Sequence, residues 1–120
     1  MACRVLLVDD NSDFRTAARQ LLERHGFAVV AEADTGISGI ERAQEHRPDL
    51  VLVDVQLPDI DGFEVAMRVS QLDVPAAVIL TSSLDGADFG ALITGSSALG
   101  FVPKAELSAS LINTLLADGA

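Results

Sequence analysis

Residues 50–54 read Leu50-Val51-Leu52-Val53-Asp54, four apolar residues stopped by one aspartate, with Gln56, Pro58, Asp61 and Gly62 close behind. A short apolar run rich in branched residues and ended by turn chemistry is the pattern of a strand buried on both faces. Such strands belong to parallel sheets covered by helices, and open sheets of that kind take their ligands just past the carboxyl ends of the strands. Asp54 is therefore expected at the carboxyl edge of a central strand, facing a crevice. Taken alone, the stretch also fits a strand-ending aspartate that caps a turn.

The rest of the chain repeats the pattern. Val5-Leu6-Leu7-Val8 is a second buried-strand run, and it too stops at acid, Asp9-Asp10. Ser12 is placed to cap the helix that follows, whose apolar positions Phe14, Ala17, Ala18, Leu21 and Leu22 fall on one helical face. Gly26 ends that helix in a left-handed stop. Residues 27–33 read as a strand near a sheet edge. Thr35 is placed to cap a second helix with Ile37, Ile40 and Ala43 inward and Glu41, Arg42, Glu45 and His46 outward, and Pro48-Asp49 turns the chain into the central run. A third helix after Gly62 sets Phe63, Ala66, Met67 and Ser70 along one side. Residues 76–80 form the next strand, running into Thr81-Ser82-Ser83. Residues 85–94 read as a helix with Phe89, Leu92 and Ile93 inward. Gly86 and Gly90 each weaken that helix by about 1 kcal/mol against alanine. Gly100-Phe101-Val102-Pro103 is a short strand, placed near an edge by its proline. Leu107, Leu111, Ile112, Leu115 and Leu116 mark a last helix.

Strand and helix alternate five times in this reading, which implies a parallel sheet with helices on both faces. The expected fold is a flavodoxin-like (βα)5 doubly wound sheet in the order 2-1-3-4-5. In that order the first and third strands are neighbours, and Asp9-Asp10 and Asp54 share one edge. At 120 residues the chain is one domain, residues 1–120. With 49 % apolar residues but no Trp or Tyr, its core comes from Val, Ile, Leu, Ala and five Phe. The formal net charge of −10 argues against direct binding to nucleic acid or an anionic membrane, and suits a site that concentrates a divalent cation. The lone Cys3 reads as a small core residue. No apolar run reaches the length of a membrane span, and the amino terminus does not fit a signal peptide. A cytoplasmic protein is the expectation.

Three carboxylates at one sheet edge repel each other and are costly to keep ionised. A hard cation resolves this, and magnesium takes oxygen ligands such as one aspartate of the pair, Asp54 and a backbone carbonyl near Gln56. Thr81 and Lys104 end the fourth and fifth strands and reach the same edge. A hydroxyl and an ammonium beside a metal-bound carboxylate can neutralise a phosphoryl group carried to Asp54, and a carboxylate can act as its nucleophile. Each part alone has an ordinary reading: turn and capping chemistry for Asp9-Asp10, a turn hydroxyl for Thr81, a solvated lysine for Lys104, an edge-strand aromatic for Phe101. His25 and His46 read as exposed helix-end residues near the carbonyl pole. The coincidence of four strand ends carries the case.

Val8-Asp9-Asp10, Leu52-Val53-Asp54-Val55-Gln56-Leu57-Pro58, Asp61-Gly62, Val78-Ile79-Leu80-Thr81 and Phe101-Val102-Pro103-Lys104, in this order, resemble the receiver domain of two-component response regulators over essentially the whole chain. The resemblance implies Asp54 as phosphoacceptor. It implies Mg²⁺ held directly by Asp10, through water by Asp9, and by Asp54 and the Gln56 main-chain carbonyl. It implies Thr81 and Lys104 on the phosphoryl oxygens. Phe101 takes the place of the aromatic switch residue, which moves as Thr81 shifts toward the phosphoryl group. The partner would be a sensor histidine kinase or phosphotransfer protein, and a homodimer formed on phosphorylation is a further implied partner. The protein would be a signalling phosphoacceptor, assisting only its own phosphorylation and dephosphorylation, rather than an enzyme with a separate substrate.

Three departures from the family pattern stand out: Ala105 rather than proline follows Lys104, Ser82 rather than alanine follows Thr81, and residues 85–95 are glycine-rich and expected to be partly unwound. None of the three removes a reacting group. Residues 100–107 resemble receivers that precede a LuxR-type helix-turn-helix, which implies a piece of a longer transcription factor whose DNA-binding output lies elsewhere. The alternatives are a stand-alone receiver acting through protein contacts and a haloacid-dehalogenase-like phosphatase. The phosphatase reading lacks its general acid, because Gln56 stands two residues after Asp54.

Overall fold

The computed structural model describes residues 2–83 and 95–118. In chain order it holds β1 (Arg4–Val8), α1 (Ser12–Arg24), β2 (Ala28–Ala33), α2 (Gly36–His46), β3 (Leu50–Asp54), α3 (Gly62–Ser70), β4 (Ala77–Ser82), β5 (Gly100–Pro103), a 3₁₀ turn (Lys104–Glu106) and α4 (Ala109–Asp118). The strands are all parallel in the order β2-β1-β3-β4-β5, as the flavodoxin-like reading requires. The helix expected over residues 85–94, with Phe89, Leu92, Ile93, Gly86 and Gly90, lies outside the described residues.

Alternate residues of the central strands feed two cores. Val5, Leu7, Leu50, Leu52, Ile79 and Val102 meet Ala18 and Leu22 of α1 and Ala109 and Ile112 of α4 on one face. Leu6, Val8, Val51, Val53, Val78 and Leu80 meet Ala43 of α2 and Val65, Ala66 and Val69 of α3 on the other. Both parities of β3 are buried, and that is why its sequence is a continuous apolar run rather than an alternating one. Burying a side chain of this size stabilises by about 1.5–3 kcal/mol. The sheet centre is therefore the firmest part of the molecule.

Several helix details differ from the sequence expectation. Asn11, not Ser12, caps α1, its side-chain oxygen accepting from the N–H groups of Asp13 and Phe14. Ala17 is exposed, and Ala18 and Leu22 carry the contact. In α2 the buried positions are Gly36, Gly39 and Ala43, while Ile37 is 43 % exposed. A Cβ at Gly39 would come within 2.8 Å of Val8 Cγ2, so the absence of a side chain lets α2 lie close on β1. In α3 the inner face is Val65, Ala66 and Val69, and Met67 and Ser70 point outward. Leu107 precedes α4 and packs on the core from the loop. Thr35 does cap α2, in a reciprocal capping box with Ser38. Gly26 follows α1 with φ +89°. Cys3 is half-buried against the first core.

A candidate phosphoacceptor and cation site

The parallel register brings the carboxyl ends of four strands to one edge. Val8, the residue before Asp9, lies opposite Val53, the residue before Asp54. Asp54 lies opposite Thr81, and Thr81 opposite Val102, two residues before Lys104. Asp9 and Asp54 are buried at 2 % and 5 % exposure, Thr81 is buried beside them, and Asp10 is exposed at the rim. Carboxylate oxygens of Asp9, Asp10 and Asp54 all lie within 4.8 Å of one another.

One ammonium answers these carboxylates. Lys104 Nζ lies 2.7 Å from Asp9 Oδ2 and 2.9 Å from Asp54 Oδ2, and 4.5 Å from the centroid of the Phe14 ring. The 3₁₀ turn that follows β5 aims this lysine back across the sheet edge. The other oxygens are held by backbone. The Asn11 N–H donates to Asp9 Oδ1 at 2.8 Å and the Gln56 N–H donates to Asp54 Oδ1 at 2.9 Å. Asp9 Oδ2 faces the ammonium at ion-pair distance but off the direction of a hydrogen bond. This buried oxygen has no hydrogen-bond partner among the described residues.

The charge state follows from these contacts. Burial pushes the Asp9 carboxyl above the ordinary carboxylate value, and the nearby Asp54 adds to the rise; the Lys104 ammonium at ion-pair distance and the hydrogen bond from the Asn11 N–H pull the other way without cancelling it. Burial alone would depress the Lys104 ammonium, but its close contacts with the Asp9 and Asp54 carboxylates outweigh burial and hold it above its usual value. The edge thus has three acids against one firmly charged base. An excess of hard oxygen donors, one of them a buried oxygen without an aligned partner, is a donor set that fits a divalent cation.

Gly62 shows how tightly the loop after β3 is closed. Its N–H donates to the Val55 carbonyl at 2.9 Å, and a Cβ on it would stand 2.5 Å from the Asp54 carbonyl oxygen. Only glycine permits that backbone approach. The preceding Asp61 caps α3 through the Glu64 N–H. Val55 N–H donates to the Thr81 carbonyl at 2.9 Å, so the first loop residue is still tied to β4.

The structure brings together Asp9, Asp10, Asp54, Thr81 and Lys104. Gln56 joins them through its main chain, with its side chain exposed. Phe101 is half-buried on β5 beside Leu80 and packs on the second core. His25 is exposed at the end of α1 with Nδ1 2.9 Å from the Leu21 carbonyl oxygen, and His46 is half-buried at the end of α2. The sequence reading missed three participants. Asn11 holds Asp9; an Asn two residues after a strand-ending Asp is a turn signal that could have found it. Phe14 flanks Lys104, but helical periodicity marks it only as core. Arg15 donates to the Asp9 main-chain carbonyl through Nη1, a contact with no local sequence signal.

A buried aspartate at the end of the middle strand of this fold, paired with a lysine beyond the last strand and two further acids beyond the first, defines a class. The family model of the response regulator receiver domain matches residues 5–116, and the chain belongs to that family. It is 38 % identical over 110 residues to the virulence-factor transcription regulator BvgA of Bordetella pertussis, covering 92 % of this chain and 53 % of that protein. It is 30 % identical over 115 residues to the chemotaxis protein CheY of Halobacterium salinarum, covering 96 % of this chain and 95 % of that one. Among solved structures, the LuxR-family two-component response regulator from Aurantimonas superposes with a TM-score of 0.86 at 32 % identity, over 98 % of this chain and 85 % of that one. The chain spans about half the length of the curated transcription regulators it matches. Among the described residues no helix is long and apolar enough to cross a membrane.

Proposed function

We propose that this receiver takes a phosphoryl group onto Asp54 from the phosphohistidine of a sensor kinase or phosphotransfer protein. The observation that carries the reading is the placement of Asp54: buried at the end of β3, touched by Lys104, adjoining Asp9 and Asp10, and paired in register with Thr81. An Asp54 carboxylate oxygen attacks phosphorus, the P–N bond to the donor histidine breaks, and the imidazole leaves with that bond's electron pair. Asp9, Asp10, Asp54 and the Gln56 main-chain carbonyl would hold Mg²⁺. The cation supplies charge neutralisation for the carboxylates and the phosphoryl oxygens. Lys104 keeps its charge and exchanges a carboxylate partner for a phosphoryl oxygen, and the Thr81 hydroxyl donates to a second.

A new doubly charged group at this edge draws Thr81 and Lys104 inward. Phe101, one strand over, then repacks into the space that Thr81 leaves, and the surface around β5 and α4 changes shape. The 53 % coverage of BvgA, a transcription regulator, supports an output domain that binds DNA outside this segment; a homodimer formed on phosphorylation and a cytoplasmic location complete the reading. The nearly complete coverage of a stand-alone CheY favours a second reading, a receiver that acts by protein contact alone. In both, the domain assists its own phosphorylation and dephosphorylation and turns over no other substrate.

The test is incubation with Mg²⁺ and acetyl phosphate, followed by intact-mass measurement. One base-labile phosphoryl group should appear on the wild type and be absent from Asp54→Asn. A wild type that never gains the group, or a variant that gains it equally, removes Asp54 from this role.

A further inference from the structure

The loop between β3 and α3 carries Gln56, yet a second anchor outside the acidic edge holds that loop in place. Asp59 reaches across to the start of α2. Its Oδ1 accepts from the Gly36 N–H and its Oδ2 from the Ile37 N–H, both at 2.8 Å. These are the first two N–H groups of a helix, which have no partner within it. Thr35 serves a different group, the Ser38 N–H at 3.1 Å. Beside this bidentate clamp, Ile60 fills the place a side chain on Gly36 would take, with Cγ1 2.4 Å from where its Cβ would lie. Slight burial would raise the Asp59 carboxyl, but the N–H groups of Ile37, Gly36 and Ile60 outweigh it and lower its pKa, so the clamp is charged at neutral pH.

We propose that Asp59 is a positioning residue for the cation site: its clamp on α2 fixes the loop that presents the Gln56 main chain and closes over Asp54. The mechanical argument is one of fixed points. The loop is closed at its ends by Val55 and Gly62, which bond to each other at 2.9 Å. Between those ends Asp61 anchors the loop to α3, and Asp59, three residues after Gln56, is its side-chain anchor to α2. α2 is itself seated on β1 through Gly39 and Val8, next to Asp9. Asp59 thus ties the two halves of the acidic edge to one rigid body. Groups that orient a metal ligand through one intermediate contact typically change cation affinity by about tenfold or more when removed.

The inference rests on the phosphoacceptor reading and deepens it. The test compares Asp59→Ala with Thr35→Ala in the full chain. Both remove a cap from the same helix, but only the first releases the loop. Mg²⁺ titration of the unphosphorylated protein by calorimetry should give about tenfold weaker binding for Asp59→Ala, with Thr35→Ala close to wild type. Asp59→Asn keeps one carbonyl acceptor and should fall between them. Wild-type affinity in Asp59→Ala, or equal losses in Asp59→Ala and Thr35→Ala, overturns the proposal. If Asp59→Ala does not fold, the same rule applies to Asp59→Asn, with a loss of about threefold expected. A wild type that neither binds Mg²⁺ nor gains a phosphoryl group would overturn the underlying reading. A wild type that does both, beside an unaffected Asp59→Ala, would overturn only the role of Asp59.

Discussion

β1 and β3 lie side by side, and their two ends handle charge in opposite ways. At the amino end, Asp49 accepts from the Arg4 N–H at 2.9 Å, Arg4 Nη1 donates to the Arg47 carbonyl at 2.8 Å, and the Asp49 N–H returns to the Arg4 carbonyl at 2.8 Å. There, near water, the carboxylate is met by a backbone N–H and the guanidinium by a carbonyl, so each named polar group is paired. At the carboxyl end, three carboxylates crowd one ammonium, two of them are buried, and one buried oxygen has no aligned donor. The same pair of strands is thus finished for stability at one end and left with excess negative charge at the other. Such an imbalance is what a site for a cation and a transferred phosphoryl group requires, and it lowers the stability of the empty protein.

The largest break in this comparison is expected from Lys104→Ala. It leaves Asp9 and Asp54 buried with no compensating charge. Removing one partner of such a group costs about 3 kcal/mol for a lysine still partly open to water. Urea denaturation in chelator should show the loss, and millimolar Mg²⁺ should restore part of it by binding only the folded state. A variant as stable as wild type without cation would mean that the carboxyl edge is not strained by charge.

Matched neutralisations at the two ends sharpen the contrast, because they should have opposite signs. Asp9→Asn removes a carboxylate whose pKa is raised by burial and should stabilise the cation-free protein. Asp49→Asn weakens a satisfied pair and should destabilise by about 1 kcal/mol. Equal signs in the denaturation midpoints would erase the distinction between the ends.

A smaller effect separates Asp59 from the acids of the site by pH. Its pKa is lowered in the folded protein, so its contribution is complete above the ordinary carboxylate range and is lost as pH falls through the lowered value. The stability difference between wild type and Asp59→Ala, about 1 kcal/mol near neutrality from the lost cap, should therefore shrink toward zero in acid. Asp9 has the opposite sign: its raised pKa makes ionisation costly, so its unfavourable contribution grows as pH rises from the ordinary value through the raised one. The smallest effect belongs to the network of Arg15 and Arg19 with Glu32 on β2. Glu32→Gln should cost less than about 1 kcal/mol, and added salt should reduce even that.

By itself the sequence determined the strands, their order, and which chemical groups reach one edge. The order follows from the preference of a five-strand βα unit, and the other two from simple rules: a strand buried on two faces must be apolar at consecutive positions, and a parallel βα repeat delivers every strand end to the same side. Val5 to Val8 and Leu50 to Val53 obey the first rule, and Asp9, Asp10, Asp54, Thr81 and Lys104 follow from the second. Tertiary structure decided how those groups are held. Hydropathy periodicity favours Ile37 and Met67 as inward residues, but the helices turn Gly36, Gly39, Val65 and Val69 inward, because fit against the sheet depends on size at the crossing point as well as on polarity. Asn11 under Asp9 and Asp59 on the start of α2 leave no periodic trace, and periodicity marks Phe14 as core but not as the neighbour of Lys104. The Asp59 clamp spans 23 positions of sequence, and only the closed loop after β3 brings it within reach of α2.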